Sequence, residues 1–274
     1  MTTFLTSIAI LTAIFLSVAL LERVPALQHC PGPSRRPWFA TDIAWYFVAT
    51  VAAGVSTFVF QPVLVHLAIP GVSATVADLP AAVRFLVAVA VFDAVAFAVH
   101  LGMHRSDLFW RVHKVHHSSR RLDFLATTRT HAFELLIRNV PAQMALFALG
   151  LPPAVVASVV LVYGTFAVVG HSNLRLNLRW VEWLFITPRI HRLHHVPSTT
   201  QKNFATIFSV WDRATQRLVR SDTSPDAVLG VPGEVESFPQ QFVLAFREPL
   251  RQTVAARRAR QGDARLTSTA ARSD

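Results

Sequence analysis

Long apolar runs separated by short polar stretches dominate the first two thirds of the chain. Three such runs, each about as long as an α-helix that crosses a bilayer, cover residues 4–21, 42–67 and 81–103. Asp42 opens the second run as a candidate helix cap, and Pro70 and Gly71 end it before a loop over residues 71–80. The pattern predicts three transmembrane helices.

The next apolar segment is divided by a Gly-Leu-Pro-Pro sequence at residues 150–153. Because glycine and proline break helices, this sequence predicts a hairpin with arms over residues 134–149 and 154–170. The first arm carries Arg138, so we expect it to enter the membrane obliquely or shallowly. The turn would return His171 to the side of the membrane from which the segment starts.

Composition and charge agree with a membrane protein. Hydrophobic residues make up 52% of the chain and charged residues 15%, against about 25% charged residues in soluble domains. The net charge is +10, and basic residues cluster after the first and third runs, whereas the loop over residues 71–80 has an acidic Asp78 and no basic residue. The positive-inside rule therefore predicts that the basic loops and the nearby histidines are cytoplasmic. No basic helix lies outside the membrane-flanking segments, so no nucleic-acid partner is expected.

These elements predict an all-α fold, an integral-membrane, multi-pass helical bundle of about four transmembrane helices or hairpin arms with a cytoplasmic histidine-rich helical cap. Residues 174–220 mix aromatic residues with arginine, which favours amphipathic cap helices at the membrane surface. We predict a single membrane-embedded domain over residues 1–250, with a motif core over residues 93–220. Residues 251–274 are a basic tail that is predicted to be disordered.

Histidines recur at helical spacing before and after the predicted hairpin. His100 and His104 are one helical turn apart, and a His-x-x-His-His sequence occurs twice. Neutral imidazole is the commonest metal ligand among side chains, so these blocks suggest a multinuclear metal site. Nine histidines are too many for one ion and would serve two ions with about four or five ligands each. The candidate catalytic and metal-ligating residues are His100, His104, His113, His116, His117, His171, His191, His194 and His195.

Several alternatives bear on this chemistry. The spacing alone leaves iron, zinc, copper and nickel open. The single Cys30 excludes a cysteine-based zinc or iron–sulfur site, and no His-Glu-x-x-His sequence supports a zinc protease. His29 and His66 are interpreted as ordinary polar residues. Asp93, in the middle of the third run, either makes a helix-packing hydrogen bond or orients a histidine. A non-catalytic membrane protein that binds or transports metal also stays open.

Two sequences carry a resemblance to a known family, LFWRVHKVHHS at residues 108–118 and TPRIHRLHH at residues 187–195. They resemble the central motifs of the fatty acid hydroxylase/sterol desaturase superfamily, and RTHAFE, GHSN, NF and WDR occur in the family's order. The resemblance covers roughly residues 93–220. It implies a histidine-ligated di-iron oxygenase of the membrane that hydroxylates or desaturates a lipid C–H bond with O2 and two electrons.

The resemblance assigns ligand roles to the nine histidines and adds three candidates. His131, which it implies to be paired with Glu134, lies in a block where alanine replaces the family's proline. Asn173 or Asn203 would hold a metal-bound water. The loop on the substrate side also departs from the family pattern, with Ala205 in place of a glycine. These departures affect the identity of the substrate more than the metal site.

The resemblance also implies cofactors and partners. The cofactors are two Fe2+ ions, for which zinc can substitute in a purified sample. The partners are a lipid substrate, the membrane and an external electron donor (a cytochrome b5-like protein, a ferredoxin or a reductase), because the chain has no cysteine cluster or dinucleotide fingerprint. Sterol desaturation or carotenoid hydroxylation on the same site is the first alternative outcome.

Overall fold

A computed structural model describes residues 2–31, 38–176, 178–231 and 237–247. Within these ranges no β-strand occurs, and two isolated antiparallel bridges join Gln28 to Leu174 and Phe185 to Phe208. The predicted all-α class is confirmed, while the predicted tail over residues 251–274 lies outside the described residues. The α-helices are α1 (Thr2–Leu21), α2 (Phe39–Val55), α3 (Gln61–Leu64), α4 (Pro70–Ala77), α5 (Ala81–Arg105), α6 (Asp107–His116), α7 (Ala132–Ala148), α8 (Pro153–His171), α9 (Pro188–His194), α10 (Val210–Ala214) and α11 (Phe238–Arg247).

Four helical segments of the described chain are long and apolar enough to cross a membrane, namely Phe4–Leu21, Phe39–Leu67, Ala81–Arg105 and Pro153–His171. They correspond to the three predicted runs and to the second arm of the predicted hairpin, and they indicate a membrane protein. The first arm, α7, is not one of the four. It has 17 residues, Glu134 and Arg138 lie within it, and it packs along α5.

The second span changes its helical geometry midway. α2 continues into a π-helical turn, Ser56–Phe60, and Pro62, which has no N–H group, lies in the first turn of α3. Two expectations are corrected here. Asp42 lies inside the first turn of α2 instead of capping it, because its buried carboxylate pairs with Arg129. The predicted loop before α5 contains α4, since Pro70 at a first helical position favours a helix start.

The turn between α7 and α8 has the geometry that its sequence predicts. Gly150 has a φ of +75°, and a Cβ atom there would overlap the Cβ atom of Ser73. The two prolines that follow stand at the cap and the first position of α8. At the other end of α8, the Glu22 carboxylate, just after α1, accepts a hydrogen bond from the Asn173 backbone N–H at 2.7 Å. The chain therefore returns His171 to the end of the bundle where α1 ends.

Side chains of α5, α7 and α8 form a large buried core. Phe92 of α5 packs edge-to-face on Tyr163 of α8, with ring centroids 5.0 Å apart, and Leu146 and Phe147 of α7 belong to the same cluster. A second cluster around Phe15 joins α1 to α8 and to the segment that follows α8. These contacts bring the ends of α5 and α8, which carry histidines, to the same end of the bundle.

The cap after α8 has short helices joined by irregular backbone. Over residues 174–220, the described α-helices are the short α9 and α10, so amphipathic helices do not run along this segment as expected. Buried carboxylates explain the irregular course. Asp93 accepts hydrogen bonds from the backbone N–H groups of Ile207 and Phe208, and Asp212 accepts two more from its own segment. These acceptors replace the carbonyl groups that a helix would provide.

Candidate metal centre

Helix ends bring the nine candidate histidines to one place. His100 and His104 lie near the end of α5, and His171 is the last residue of α8. The other six lie on or directly after α6 and α9. Both of these short helices begin at a capping hydroxyl, because Ser106 and Thr187 each accept a hydrogen bond from a backbone N–H three residues later. The caps set the direction in which each short helix presents its histidines.

Five of the histidines form a first group. One ring nitrogen from each lies within 4.8 Å of those of the others, and all five side chains are buried. The Nε2 atom of His113 is 2.9 Å from that of His104 and 3.0 Å from that of His100. The first group consists of His100, His104, His113, His117 and His194.

The other four histidines form a second group with the same spacing of nitrogen atoms. The Nε2 atom of His171 is 3.0 Å from that of His116 and 2.9 Å from that of His191. The Nε2 atom of His195 is 3.3 Å from that of His191. The second group consists of His116, His171, His191 and His195.

The two His-x-x-His-His sequences are divided between the groups. In each sequence the first and last histidines, one helical turn apart, join the same group, and the middle one joins the other group. His116 therefore belongs to the second group and His194 to the first. His117 and His195 stack with ring centroids 4.5 Å apart where the groups meet. The spacing in the sequence predicts two groups but does not predict this exchange.

Backbone carbonyl groups set the protonation of two histidines in the first group. The Nδ1 atoms of His100 and His194 are each 2.7 Å from a carbonyl oxygen, of Phe204 and Lys202 respectively, so each ring donates from Nδ1. Their Nε2 atoms then carry lone pairs and face each other at 3.1 Å. Two lone pairs at this separation repel unless a cation lies between them. The residues of the first group therefore fit a metal ion.

The second group has the same arrangement. The Nδ1 atom of His171 is 2.7 Å from the carbonyl oxygen of Ala167, and that of His116 is 3.3 Å from the carbonyl oxygen of Arg129. The two Nε2 atoms face each other at 3.0 Å. Nitrogen ligands about 2.1 Å from one ion and at right angles to each other are about 3.0 Å apart. Both groups thus have the spacing of neighbouring ligands on one ion.

An acidic residue that is not one of the nine predicted ligands contacts the first group. Glu134 is fully buried, and its Oε1 atom is 3.0 Å from Nδ1 of His113 and 3.6 Å from a guanidinium nitrogen of Arg138. A carboxylate at the outer nitrogen of a ligand histidine holds the ring and raises its basicity. The expected pairing of Glu134 with His131 is present as an electrostatic interaction, in which the carboxylate raises the pKa of His131 against the larger lowering by burial. The Glu134 carboxylate also lies directly against His113. The sequence signal for a carboxylate near the metal centre is the position of Glu134 three residues after His131, in the first turn of α7.

The three further candidates have other partners. His131 precedes α7 as its cap, where its Nδ1 atom accepts a hydrogen bond from the backbone N–H of Phe133, and it belongs to neither histidine group. Asn173 bonds the backbone of Cys30 through both of its amide atoms. Asn203 likewise bonds only to backbone groups in the described contacts, through both amide atoms. Asn173 thus ties the end of α8 to the segment after α1, and Asn203 ties α9 to the chain that follows it, while the role of either asparagine in holding a metal-bound water stays a prediction.

Asp93 has a packing role. Its carboxylate accepts hydrogen bonds from two backbone N–H groups and from the indole N–H of Trp211, at 2.9 to 3.0 Å. The helix-packing alternative is confirmed, and direct orientation of a histidine by Asp93 is wrong. Its effect on the site is indirect, because it anchors to α5 the same segment whose Phe204 carbonyl accepts from His100.

The histidines that lie outside the membrane-spanning segments are kept neutral by burial, and the neutral form is the one that binds metal. Removal from water is the largest cause that holds the pKa of His116, His117, His191 and His195 well below the usual value, and it lowers the pKa of His194 to about 3. Neighbouring histidines lower these pKa values further. A neutral imidazole is the form that ligates a metal ion, so no proton has to be displaced at neutral pH.

Comparison with known proteins gives a family for the part of the chain that holds this centre. Residues 85–216 match the sequence model of the family described as fatty acid hydroxylase. An ornithine lipid hydroxylase of Rhizobium tropici is 24% identical over 185 residues, which cover 66% of this chain and 56% of that protein. Alkylglycerol monooxygenases of Caenorhabditis elegans and Danio rerio are 26% and 32% identical, over 55% and 42% of this chain and 30% and 26% of their own lengths.

The chain therefore spans little more than half, or less, of the length of these relatives. No solved structure matches the chain. All nine histidines of the two groups lie inside the part that matches the family. Residues 85–216, which include both histidine groups, therefore form a fatty acid hydroxylase domain.

Proposed function

We propose that the protein is an integral-membrane di-iron oxygenase that hydroxylates a C–H bond of a lipid with O2 and two electrons from a separate donor. The observation that carries this proposal is the pair of buried histidine groups in which Nε2 lone pairs face each other at 3.0 to 3.1 Å. Each group would hold one ion through these nitrogens. Nitrogen ligation without sulfur suits iron, and sulfur ligands would be oxidised readily at such a site.

The metal ions would supply the reaction's redox chemistry, the reduction of O2 and the oxidation of an unactivated C–H bond. The protein's own residues hold and shield the centre. Glu134 holds His113 at Nδ1. The rings of Phe204 and Trp110 each lie 5.0 Å from the His104 ring, measured between centroids, and exclude water from that side. A rigid site without bulk water limits side reactions of a strong oxidant.

A lipid is the proposed substrate because the centre lies at the ends of membrane helices. The names of two relatives agree with this choice, one being a hydroxylase of an ornithine lipid and the other a monooxygenase of alkylglycerol. Both names describe the insertion of oxygen, which favours hydroxylation over desaturation for this chain as well. The reacting carbon would reach the histidines from the bilayer, between the spans.

The proposed location of the centre is the cytoplasmic end of the bundle, within a single membrane-embedded domain over residues 1–250. Arg23 after α1 and Arg105 at the end of α5 lie at the histidine end, where Arg111, Lys114 and further basic residues follow. The positive-inside rule supports this orientation. The electron donor, a cytochrome b5-like protein, a ferredoxin or a reductase, would then dock from the cytoplasm.

The test combines metal analysis with product analysis. We expect purified protein in lipid nanodiscs to contain two irons per chain and, with reductant, to add one oxygen atom from labelled O2 to a lipid. The His116→Ala variant should insert into the membrane but form no product. Loss of two hydrogens instead of gain of oxygen would indicate a desaturase. Metal transport into vesicles that persists in the variant, with no lipid product from either protein, would refute the enzyme proposal.

A further inference from the structure

A cavity of about 460 Å3 lies at the end of the bundle away from the histidines. Its walls come from the first half of α1, the π-helical turn and α3, the middle of α7 and the first half of α8. On α7, Asn139 and Gln143 follow Glu134 by about 8 and 14 Å at 1.5 Å per residue. On α8, the lining ends at Leu161, about 15 Å before His171 on the same measure. The cavity is therefore separate from the metal centre.

The cavity wall is apolar with several neutral polar groups. Side chains such as Phe4, Leu11 and Val160 provide the apolar surface. Among the described residues that line the cavity, none is an aspartate, glutamate, lysine, arginine or histidine. Such a wall disfavours a phosphate or carboxylate, because a charge would be buried without a counter-ion. The polar lining residues are Ser7, Ser56, Thr57, Gln61, Asn139 and Gln143.

Two amide side chains in this wall have no partner. The amide of Gln143 donates a hydrogen bond to the hydroxyl of Ser56 at 2.9 Å. Gln61 and Asn139, by contrast, make no side-chain hydrogen bond within the described parts of the chain. An unpaired amide at membrane depth is costly, since no water is present to bond it. Each amide can both donate and accept, so the two together present a recognition site for a neutral polar group.

The irregular second span forms the wall beside these amides. The π-helical turn Ser56–Phe60 supplies lining residues, and Gln61 follows it directly. Such turns occur frequently at functional sites. Pro62 and Pro141 each remove a backbone donor from a helix that borders the cavity. Irregular helices at membrane depth are tolerated where they line a cavity, and the irregular helices here border this cavity.

We propose that the cavity binds a neutral lipid chain that carries an ester, amide or hydroxyl group, and that Gln61 and Asn139 recognise this group. The apolar wall accommodates the hydrocarbon, and the two amides supply the hydrogen bonds that the group needs. The volume falls within the range of ligand pockets, about 300 to 1,000 Å3. The lipid reaches the cavity from the bilayer, because three of its walls belong to segments that can cross a membrane. The proposal does not depend on metal binding or on the proposed reaction.

The test measures which lipids the full chain retains. The wild-type protein, the Gln61→Leu/Asn139→Leu double variant and a Ser158→Ala control are purified in two mild detergents, and their lipids are identified by mass spectrometry. Ser158 lies on the exposed side of α8, where its hydroxyl bonds only its own helix. Wild type and control should retain one class of neutral ester, amide or hydroxyl lipid, enriched over the bulk membrane. The double variant should lose about tenfold or more of this enrichment while its iron content stays unchanged.

A second variant keeps the test independent of folding in the first. Ala157→Leu adds apolar volume to the lining without removing a polar group, so it should also displace the lipid. Thermal unfolding gives a further readout. If the cavity binds nothing, leucine in place of the unpaired amides would raise the melting temperature of the protein. A raised melting temperature with unchanged lipid content in the double variant would overturn the proposal. Retained lipids that match the bulk membrane would overturn it as well.

Discussion

The two histidine groups differ in what holds their outer nitrogens. In the first group, the Glu134 carboxylate lies against His113, and carbonyl groups accept from His100 and His194. In the second group, carbonyl groups face His116 and His171, and no carboxylate contacts any of the four rings within the described residues. A carboxylate makes a ligand more basic than a carbonyl does. We therefore expect the first group to bind its ion more tightly.

The groups also differ in which part of the chain supplies most of their histidines. Four of the five histidines in the first group come from α5 and α6, which are consecutive helices, or from the residue after α6. In the second group, three of the four histidines (His171, His191 and His195) come after the turn at Gly150, against one of five (His194) in the first group. The position of α8 and of the chain after it therefore bears on more ligands of the second group than of the first. An ion bound by the four histidines of the second group would have one protein ligand fewer than an ion bound by the five of the first.

The largest expected effect comes from removing one ligand from either group. His113→Ala and His171→Ala should each lower lipid oxidation by about 1,000-fold or more, because the proposed reaction needs both ions. Each variant should lose one iron, measured by elemental analysis of the purified protein. His66→Ala, which lies outside both groups, is the matched control and should keep full activity. Two irons and normal turnover in the His171→Ala variant would remove the second group from the mechanism.

The next largest effect comes from the Glu134 carboxylate, which contacts the first group and not the second. Glu134→Gln keeps the shape of the side chain but removes its charge, and we expect a 10- to 100-fold loss of metal affinity, by order of magnitude, at the first group alone. Metal titration of the apoprotein, followed by the two binding steps, measures it. Asp78→Asn, at the other end of the bundle, serves as the control. Equal weakening of both steps would show that Glu134 does not distinguish the groups.

The sequence predicted the nine histidines and the four spans because both depend on local patterns. Helical spacing marks which histidines share a face, and apolar length marks a span. The sequence did not predict that His116 joins the second group and His194 the first, because that depends on how α6 and α9 face each other. The pairing of Glu134 with His113 depends on how α7 packs on α5. The cap could not be predicted from periodicity, since Asp93, far away in the chain, bonds its backbone.

The turn between α7 and α8 gives a smaller effect that tests the second group specifically. Gly150→Ala should destabilise the protein by about 3 kcal/mol, because a side chain at positive φ is strained and its Cβ atom would meet Ser73. Displacement of α8 should release iron from the second group before the first, measured during thermal unfolding. Gly71→Ala is the matched control, since nothing lies within 4 Å of the added Cβ atom. Simultaneous loss of both irons would mean that the turn does not act through His171.

The smallest effect comes from Asp93, which anchors the segment that holds His100 of the first group. Asp93→Asn keeps an oxygen for two of the three donors but sets an amide N–H group against the third, which should cost about 1 to 2 kcal/mol of unfolding free energy. Trp211→Phe removes only the indole donor and should cost about 1 kcal/mol or less. Because Asp93 anchors the segment whose Phe204 carbonyl holds His100, the asparagine variant should weaken the first metal-binding step slightly and leave the second unchanged. A loss confined to the second step would reverse the comparison, because the second group would then depend on the segment that Asp93 anchors.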